Sequence, residues 1–452
     1  MSSLLRMLDL GSAALLAQQS GTAVASRNVA NVNTEGYVRE SIDLQSELAA
    51  PLVGGVRAGD PRRAQTELLA ARERDRGGEL GSARAYALAM GGLEDALTSA
   101  NDDLSTRLAE LFAAFSRLSA APMDEAVRGD VVAAASEVAR SFRSAAADIT
   151  AAQDDADARI EQIAARASEL AADIAAANRA LATSADPVIA DRRELAARKL
   201  AELVGGAARI DPDGQMRFVV AGGVVVVDGD RAATFDTSPD PGLGGRRKIE
   251  VVDGVHRDDV TARLDGGVLA GEVKFRDVTA ASALARLDAL AADVASNVNA
   301  VHSANAGLDG VTGRNLFTAA TSAAALDLDP AVAVDPRLVA AAAPGAGPGD
   351  SQGALALIDL RDQKLAAGAT RSFVDESISL VADIGRDTAT ARSAMDFAAA
   401  RLDALAALRD SVAGVSLEEE MTRLSQFARA SEAAARVVGT VDDLLATLID
   451  TL

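Results

Sequence analysis

The chain has no Cys and no Trp, and only two His and two Tyr, among its 452 residues. Without Cys there are no disulfides, thiolate metal sites or Cys nucleophiles, and the redox compartment stays open. His256 and His302 lie in unrelated contexts, and no HExxH or DxDxDG loop accompanies them. Zinc centres need several His, Cys or acid ligands together, so both histidines read as surface or packing residues. Aromatic residues make up 3% against a hydrophobic content of 49%. Ala and Leu therefore supply the apolar surface, which favours closely packed helices over sandwiches or ring-lined pockets. The net charge of −21 argues against a nucleic-acid partner, which calls for clustered Lys and Arg. It also helps keep soluble a chain that meets many copies of itself. No uncharged apolar run is long enough to span a bilayer, so membrane insertion is not expected. Arg6, Leu10–Ala17 and Ala23-Val24-Ala25 loosely imitate a secretory signal. Asp9 and the run Gln18, Gln19, Ser20 interrupt it, and cleavage is not expected.

Catalytic patterns are also missing. Asp211-x-Asp213-Gly214 lacks the later oxygen ligands of a calcium loop and reads as a β-turn. Gly205-Gly206, Gly222-Gly223 and Gly266-Gly267 lack phosphate-loop spacing and a following Lys-Ser/Thr. No Ser sits in a GxSxG elbow. The sequence therefore offers no catalytic, cofactor-binding or metal residue, and a non-enzyme is expected. Glu418–Glu420 and Asp442-Asp443 read as solvated helix faces.

What is present is helical pattern, strongest at the two ends. Met1–Val29 reads as a helix with Leu5, Leu8, Ser12, Leu15 and Thr22 on one face, ended by Asn28, Asn31, Asn33 and Gly36. Asp60-Pro61 looks like a helix start. The stripe Leu93, Leu97, Ala100, Leu104, Leu108, Leu111, Phe115, Leu118 continues the helix until Pro122 breaks it. Ile160, Ile163, Ala167, Leu170, Ile174, Ala177 and Leu181 follow a heptad. Asp186-Pro187 opens another helix that closes near Val204. From Ala207 the pattern turns to short β runs, Phe218–Val220 and Val224–Val227 among them, with Gly-rich turns to about Phe275. Helix returns over Ala280–His302, Gly307–Gly349 is irregular, and two long helices follow over Ser372–Val412 and Ser416–Leu452. The second starts at a capping box of Ser416 and Glu419.

The expected fold is mainly α with a small β insertion: a long antiparallel helical bundle or coiled coil formed by the N- and C-terminal segments, with an outward β domain. Residues 1–31 with 420–452 are expected to form a terminal helical assembly domain. Residues 32–206 with 276–419 would form the bundle, and 207–275 the small β domain. On the last helix Leu424, Phe427, Ser431, Ala434, Val438, Val441, Leu445, Leu448 and Leu452 are spaced three and four apart. Two terminal helices alone bury little, so this stripe is expected to meet copies of the chain.

Ser26–Arg39, SRNVANVNTEGYVR, resembles the N-terminal signature of the bacterial flagellar axial proteins (rod, hook and hook-associated), usually NNIANxNTPGYxR. Asn28, Ala30, Asn31, Asn33, Thr34, Gly36, Tyr37 and Arg39 match. Arg27 stands for the usual Asn and Glu35 for the usual Pro, so the loop loses the stiffness that proline gives. The segment ARASEAAARVVGTVDDLLATLID looks like the family's C-terminal signature, with Phe427 where Tyr is common. Three internal segments are similar to the hook-associated members: Ala190–Gly205, Gly266–Asp277, and Val294–Phe317 with Asn299, His302, Gly307, Asp309, Gly310 and Phe317.

The resemblance implies a structural part of the bacterial flagellum, located outside the cell at the junction of hook and filament. The chain would be exported through the type III apparatus with an export chaperone, and would carry no cofactor. Its partners would be copies of itself in a ring-like layer, the hook protein below, and a second junction protein and the filament above. The terminal helices would line the inner tube, with the bundle outside them and the β module facing outward. The alternatives are another axial protein, hook or distal rod, and, from a different class, a soluble coiled-coil scaffold. Hook proteins have a larger β content than this helix-rich sequence.

Overall fold

The computed structural model describes residues 2–46, 55–64, 67–98 and 103–450. It opens with α1 (Ser2–Ala30). A strap follows, whose described residues hold four short strands, β1 (Glu40–Ser41), β2 (Leu44–Ser46), β3 (Val56–Ala58) and β4 (Arg62–Arg63). β1 pairs antiparallel with β4, and β2 with β3. Asp60-Pro61 therefore does not start a helix. Arg62 and Arg63 are claimed by Ser41 and Glu40 on β1, and α2 covers Glu67–Thr98.

The expected stripe from Leu93 to Leu118 is divided between two helices. Its Ala100 lies outside the described residues, and α3 (Leu104–Ala120) starts afresh at Asp103, whose carboxylate accepts from the Ser105 amide. Asp124 caps α4 (Glu125–Leu181) in the same way. At 57 residues α4 runs about 85 Å, using 1.5 Å per residue. α5 (Pro187–Val204) has Asp186 as its cap and Pro at its first turn, as the sequence suggests.

The β insertion is two antiparallel sheets. One has the order β5 (Ala207–Ile210), β6 (Met216–Val220), β7 (Val224–Asp228), β8 (Arg231–Ala232). In the other, β10 (Arg247–Asp253) lies between β9 (Thr234–Pro239) and β11 (His256–Asp259). The strands stop there, short of Phe275. Gly267–Val273 is α6, and it passes through a π-helical turn at Lys274–Ala280 into α7 (Ala281–Ala304). Gly267 takes φ +77°, and a Cβ there would sit 2.3 Å from the Gly205 nitrogen. Backbone contact between these glycines is what seats α6 against the end of α5. The π turn presents Arg276, whose guanidinium bonds Asp277 at 2.6 and 2.8 Å and the Arg247 carbonyl at 2.8 Å, and pairs with Asp157. One buried cation thus ties the sheet to α4.

An irregular segment holds α8 (Pro330–Val334) and leads to α9 (Gln352–Asp359). Two long helices finish the chain, α10 (Phe373–Ala413) and α11 (Leu417–Asp450). His302 is buried in this region. Its Nδ1–H donates to the Arg314 carbonyl at 2.7 Å and its Nε2 accepts from the Ala340 amide at 2.9 Å. It pins the irregular segment to α7, whereas His256 is exposed on β11.

The described residues form two buried cores. The first gathers α2, α3, α7, α9, α10 and the first half of α4, with Leu93, Phe115, Phe142, Phe275 and Phe317 fully enclosed. The second joins Ile160, Ala167, Leu170 and Ile174 of α4 to Leu200 and Val204 of α5 and to Phe218, Val226 and Ile249 of the sheets. The heptad seam of α4 is therefore spent on α5 and the β module. Neither core includes a residue of α1 or α11.

Candidate functional site

The ends of the chain meet as one antiparallel hairpin. Gly11 of α1 lies against Val438 and Gly21 against Phe427, while Asn28 reaches Glu420. A Cβ on Gly21 would stand 2.6 Å from the Phe427 ring, and one on Gly11 2.8 Å from Val438. The glycines let the helix axes approach and give the large side chains of α11 a surface to lie on. The packed face of α1 therefore runs through Gly11, Ala17, Gly21, Val24, Ala25 and Asn28, all buried. Leu5 and Ser12, expected on that face, are exposed, while Leu8 and Leu15 flank it half-buried.

The C-terminal stripe is turned inward. Ala434 and Val441 are buried, and Leu424, Phe427, Ser431, Val438, Leu445 and Leu448 are half-buried. Leu452 lies outside the described residues. The stripe thus closes the hairpin within one chain. A different apolar set points outward: Leu5, Met7 and Leu16 on α1, and Met421, Val437, Leu444 and Ile449 on α11. Leu16 is 62% exposed and Ile449 69%.

At the base of the hairpin the N-terminal motif folds into a polar joint. Asn28 is fully buried with both ends of its amide in use. Its Nδ2 donates to the Glu40 carbonyl at 2.9 Å and to Glu420 Oε2 at 3.0 Å, and its Oδ1 accepts from the Glu40 amide at 2.9 Å and the Tyr37 hydroxyl at 2.7 Å. Burial, reinforced by the nearby Glu40 carboxylate, pushes the Tyr37 hydroxyl above its ordinary pKa and keeps it a donor. Arg39 donates to Glu420 Oε1 and to Glu419 Oε2, each at 2.9 Å, and its amide reaches the Ala413 carbonyl at 3.3 Å. Arg27 pairs with buried Glu40 at 2.7 Å.

Asn31 and Thr34 shape the turn: the Asn31 side chain donates to the Arg27 carbonyl at 3.0 Å, and Thr34 Oγ1 to Asn31 Oδ1 at 3.2 Å. Gly36 takes φ +82° where a Cβ would press on Leu195 at 3.2 Å. Ala30 and Asn33 are exposed. The structure thus gathers Asn28, Asn31, Thr34, Gly36, Tyr37 and Arg39, and leaves Ala30 and Asn33 at the surface.

The joint rests on α5. Asp191 accepts from the Val38 amide at 3.3 Å and from Arg63 Nε at 2.7 Å. Its burial pushes its pKa up against the pull of Arg63. A cleft of about 630 Å³ lies beside the joint, lined by residues 32–38, by Glu194 and Arg198 of α5, and by residues 409, 410 and 413–416.

Several of these residues escape the sequence reading. Glu420 is 1% exposed, not solvated, although its neighbour Glu419 is open. Glu40 carries no signal of its own, and Asp191 lies within the family-like segment Ala190–Gly205 but shows no sign of burial there, because the partners of both are supplied by folding. Gly11, Ala14, Ala17, Gly21 and Ala25 do form a small-residue stripe at helical spacing, and that pattern marks the close face.

Three family models match the chain. "Flagellar hook-associated protein FlgK helical domain" covers residues 90–317, "Flagellar basal body rod FlgEFG protein C-terminal" residues 410–451, and "Flagella basal body rod protein" residues 8–37. Flagellar hook-associated protein 1 of Escherichia coli (strain K12) is 30% identical over 129 residues, which is 28% of this chain and 24% of that protein. The match thus spans about a quarter of that relative's length. The solved flagellar hook junction protein FlgK from Burkholderia pseudomallei shares the fold, with a TM-score of 0.70 at 14% identity over 76% of this chain and 100% of that one.

Proposed function

The chain belongs to the flagellar hook-associated protein FlgK family, and from that premise we propose that it is a structural subunit of the junction between hook and filament. One observation carries the reading: the two ends of the chain form a single hairpin whose outward faces expose Leu5, Leu16, Val437, Leu444 and Ile449. Apolar surface of this kind on both helices of a hairpin is best satisfied by neighbouring copies. Residues 1–31 with 420–452 would be the assembling part, 32–206 with 276–419 the bundle outside it, and 207–275 the β module that faces outward. The inward stripe of α11 serves assembly by closing the hairpin, and the outward residues meet the next subunit.

On this reading the subunits form a ring-like layer with the hook protein below and a second junction protein and the filament above. They reach it through the type III export apparatus with a chaperone, and so act outside the cell. The work is mechanical: joining a bending hook to a stiff filament needs a folded adaptor and no reaction. A deletion strain tests it. Electron microscopy should show complete hooks without filaments, with filament protein in the medium, and the intact gene should restore filaments. Absent hooks would point to a rod or hook protein, and normal filaments would reject the reading.

A further inference from the structure

We propose that Asp191 and Glu420 are the two fastenings of a hinge that sets the tilt of the α1/α11 hairpin against the bundle. Neither buried core extends into the hairpin, and at the two crossings the buried apolar side chains are Val38 and Ala413, a small apolar contribution to fixing that angle. The chain passes from bundle to hairpin at Gly414–Ser416, between α10 and α11. It returns through the loop of residues 31–39 and the strap. Each crossing has a glycine where a side chain would collide. A Cβ on Gly414 would stand 2.3 Å from the Asp410 carbonyl, and Gly36 takes φ +82° against Leu195. Hinges take their rotation at a few residues between elements, and both crossings border the cleft beside the joint, which leaves room for movement.

What holds the hairpin is polar. Asp191, on the bundle, grips the Val38 amide and Arg63. Glu420, on α11, grips Arg39 of the returning loop, whose amide donates to the Ala413 carbonyl of α10, while its bond to Asn28 ties the base of α1 into the same fastening. Both carboxylates are buried, so their bonds are charge-assisted, directional and poorly replaced by water. The ion pair of Glu35 with Lys199 crosses the same boundary at 3.3 Å, but both partners are exposed, and it holds little. A subunit that joins a curving element to a straight one gains from a tilt set by two releasable fastenings.

The test uses the absence of native Cys. Spin labels on Ser12→Cys of α1 and Ser393→Cys of α10, both exposed positions, report hairpin against bundle by pulsed dipolar spectroscopy of the full chain. The parent should give one narrow distance. Asp191→Asn with Glu420→Gln should shift and broaden it while circular dichroism stays that of the parent, and Lys199→Ala should leave it unchanged. If the double variant loses helix, Glu420→Gln alone is read in the same way. An unchanged distribution in the folded variant, or an equal shift with Lys199→Ala, overturns the proposal.

Discussion

Asn28 donates its side-chain amide to the buried carboxylate of Glu420 at 3.0 Å, across 392 residues of chain. That bond joins the family's N-terminal motif to the start of the last helix. It also explains why an Asn stands there. Only an amide can donate to a carboxylate and a carbonyl while accepting from an amide and a hydroxyl.

Asn28→Leu should therefore leave the Glu420 carboxylate, both backbone groups of Glu40 and the Tyr37 hydroxyl without this partner. At about 1–3 kcal/mol for each buried group left unsatisfied, these four groups should cost the hairpin base about 4 kcal/mol or more. Hydrogen exchange at residues 24–40 and 417–424 should accelerate while Ile160–Ile174 keeps its protection. Equal protection in the variant would show that water fills the site.

Glycines on the hairpin should respond with opposite signs. In an exposed helix Gly→Ala gains about 1 kcal/mol, and Gly439, where an added Cβ would meet nothing within 4 Å, should follow that rule. Gly21→Ala meets the Phe427 ring at 2.6 Å and should cost about 1–3 kcal/mol through overpacking. Urea unfolding of the two variants checks the contrast. A gain at Gly21 would mean that the helices do not approach as described.

His302 gives a pH dependence. Burial pushes its pKa below the ordinary value, so the folded chain resists a proton that the unfolded chain accepts from about pH 6.5 downward. Stability should then fall as pH drops below about 6.5, until the folded value is reached. Burial raises Glu73, Asp191 and Glu194, and those groups act in the opposite sense at lower pH. The effect is therefore read as the difference between the parent and His302→Gln, whose urea midpoint should start lower and change less between pH 7.5 and 5.5. Parallel curves would show that His302 titrates freely.

The stripe of α11 was legible because its large side chains repeat at helical spacing, and every described member of it is buried or half-buried, with Phe427 and Val438 set against Gly21 and Gly11 of α1. The matching face of α1 was not, because reading by Leu finds side chains, while Gly11 and Gly21 do their work by having none. The acids Glu418–Glu420 look alike in sequence, and only the distant Asn28 and Arg39 single out Glu420 for burial. Arg62 and Arg63 lie on a strand because Glu40 and Ser41 return beside them, a pairing that local propensity does not encode. The glycine-rich run at Gly266–Phe275 resembles a β turn locally, yet backbone contact with Gly205 makes it the start of a helix.

Assembly runs through the outward faces of the hairpin on this reading, and one paired substitution tests them. Leu16→Asp with Leu444→Asp changes residues that are 62% and 51% exposed, so the isolated chain should keep its circular dichroism. In the assembly each would place an unpaired charge against a neighbour, and the loss repeats in every copy. A deletion strain carrying this variant should export the protein yet show bare hooks and filament protein in the culture medium. Normal filaments on cells that export the folded variant would contradict this reading.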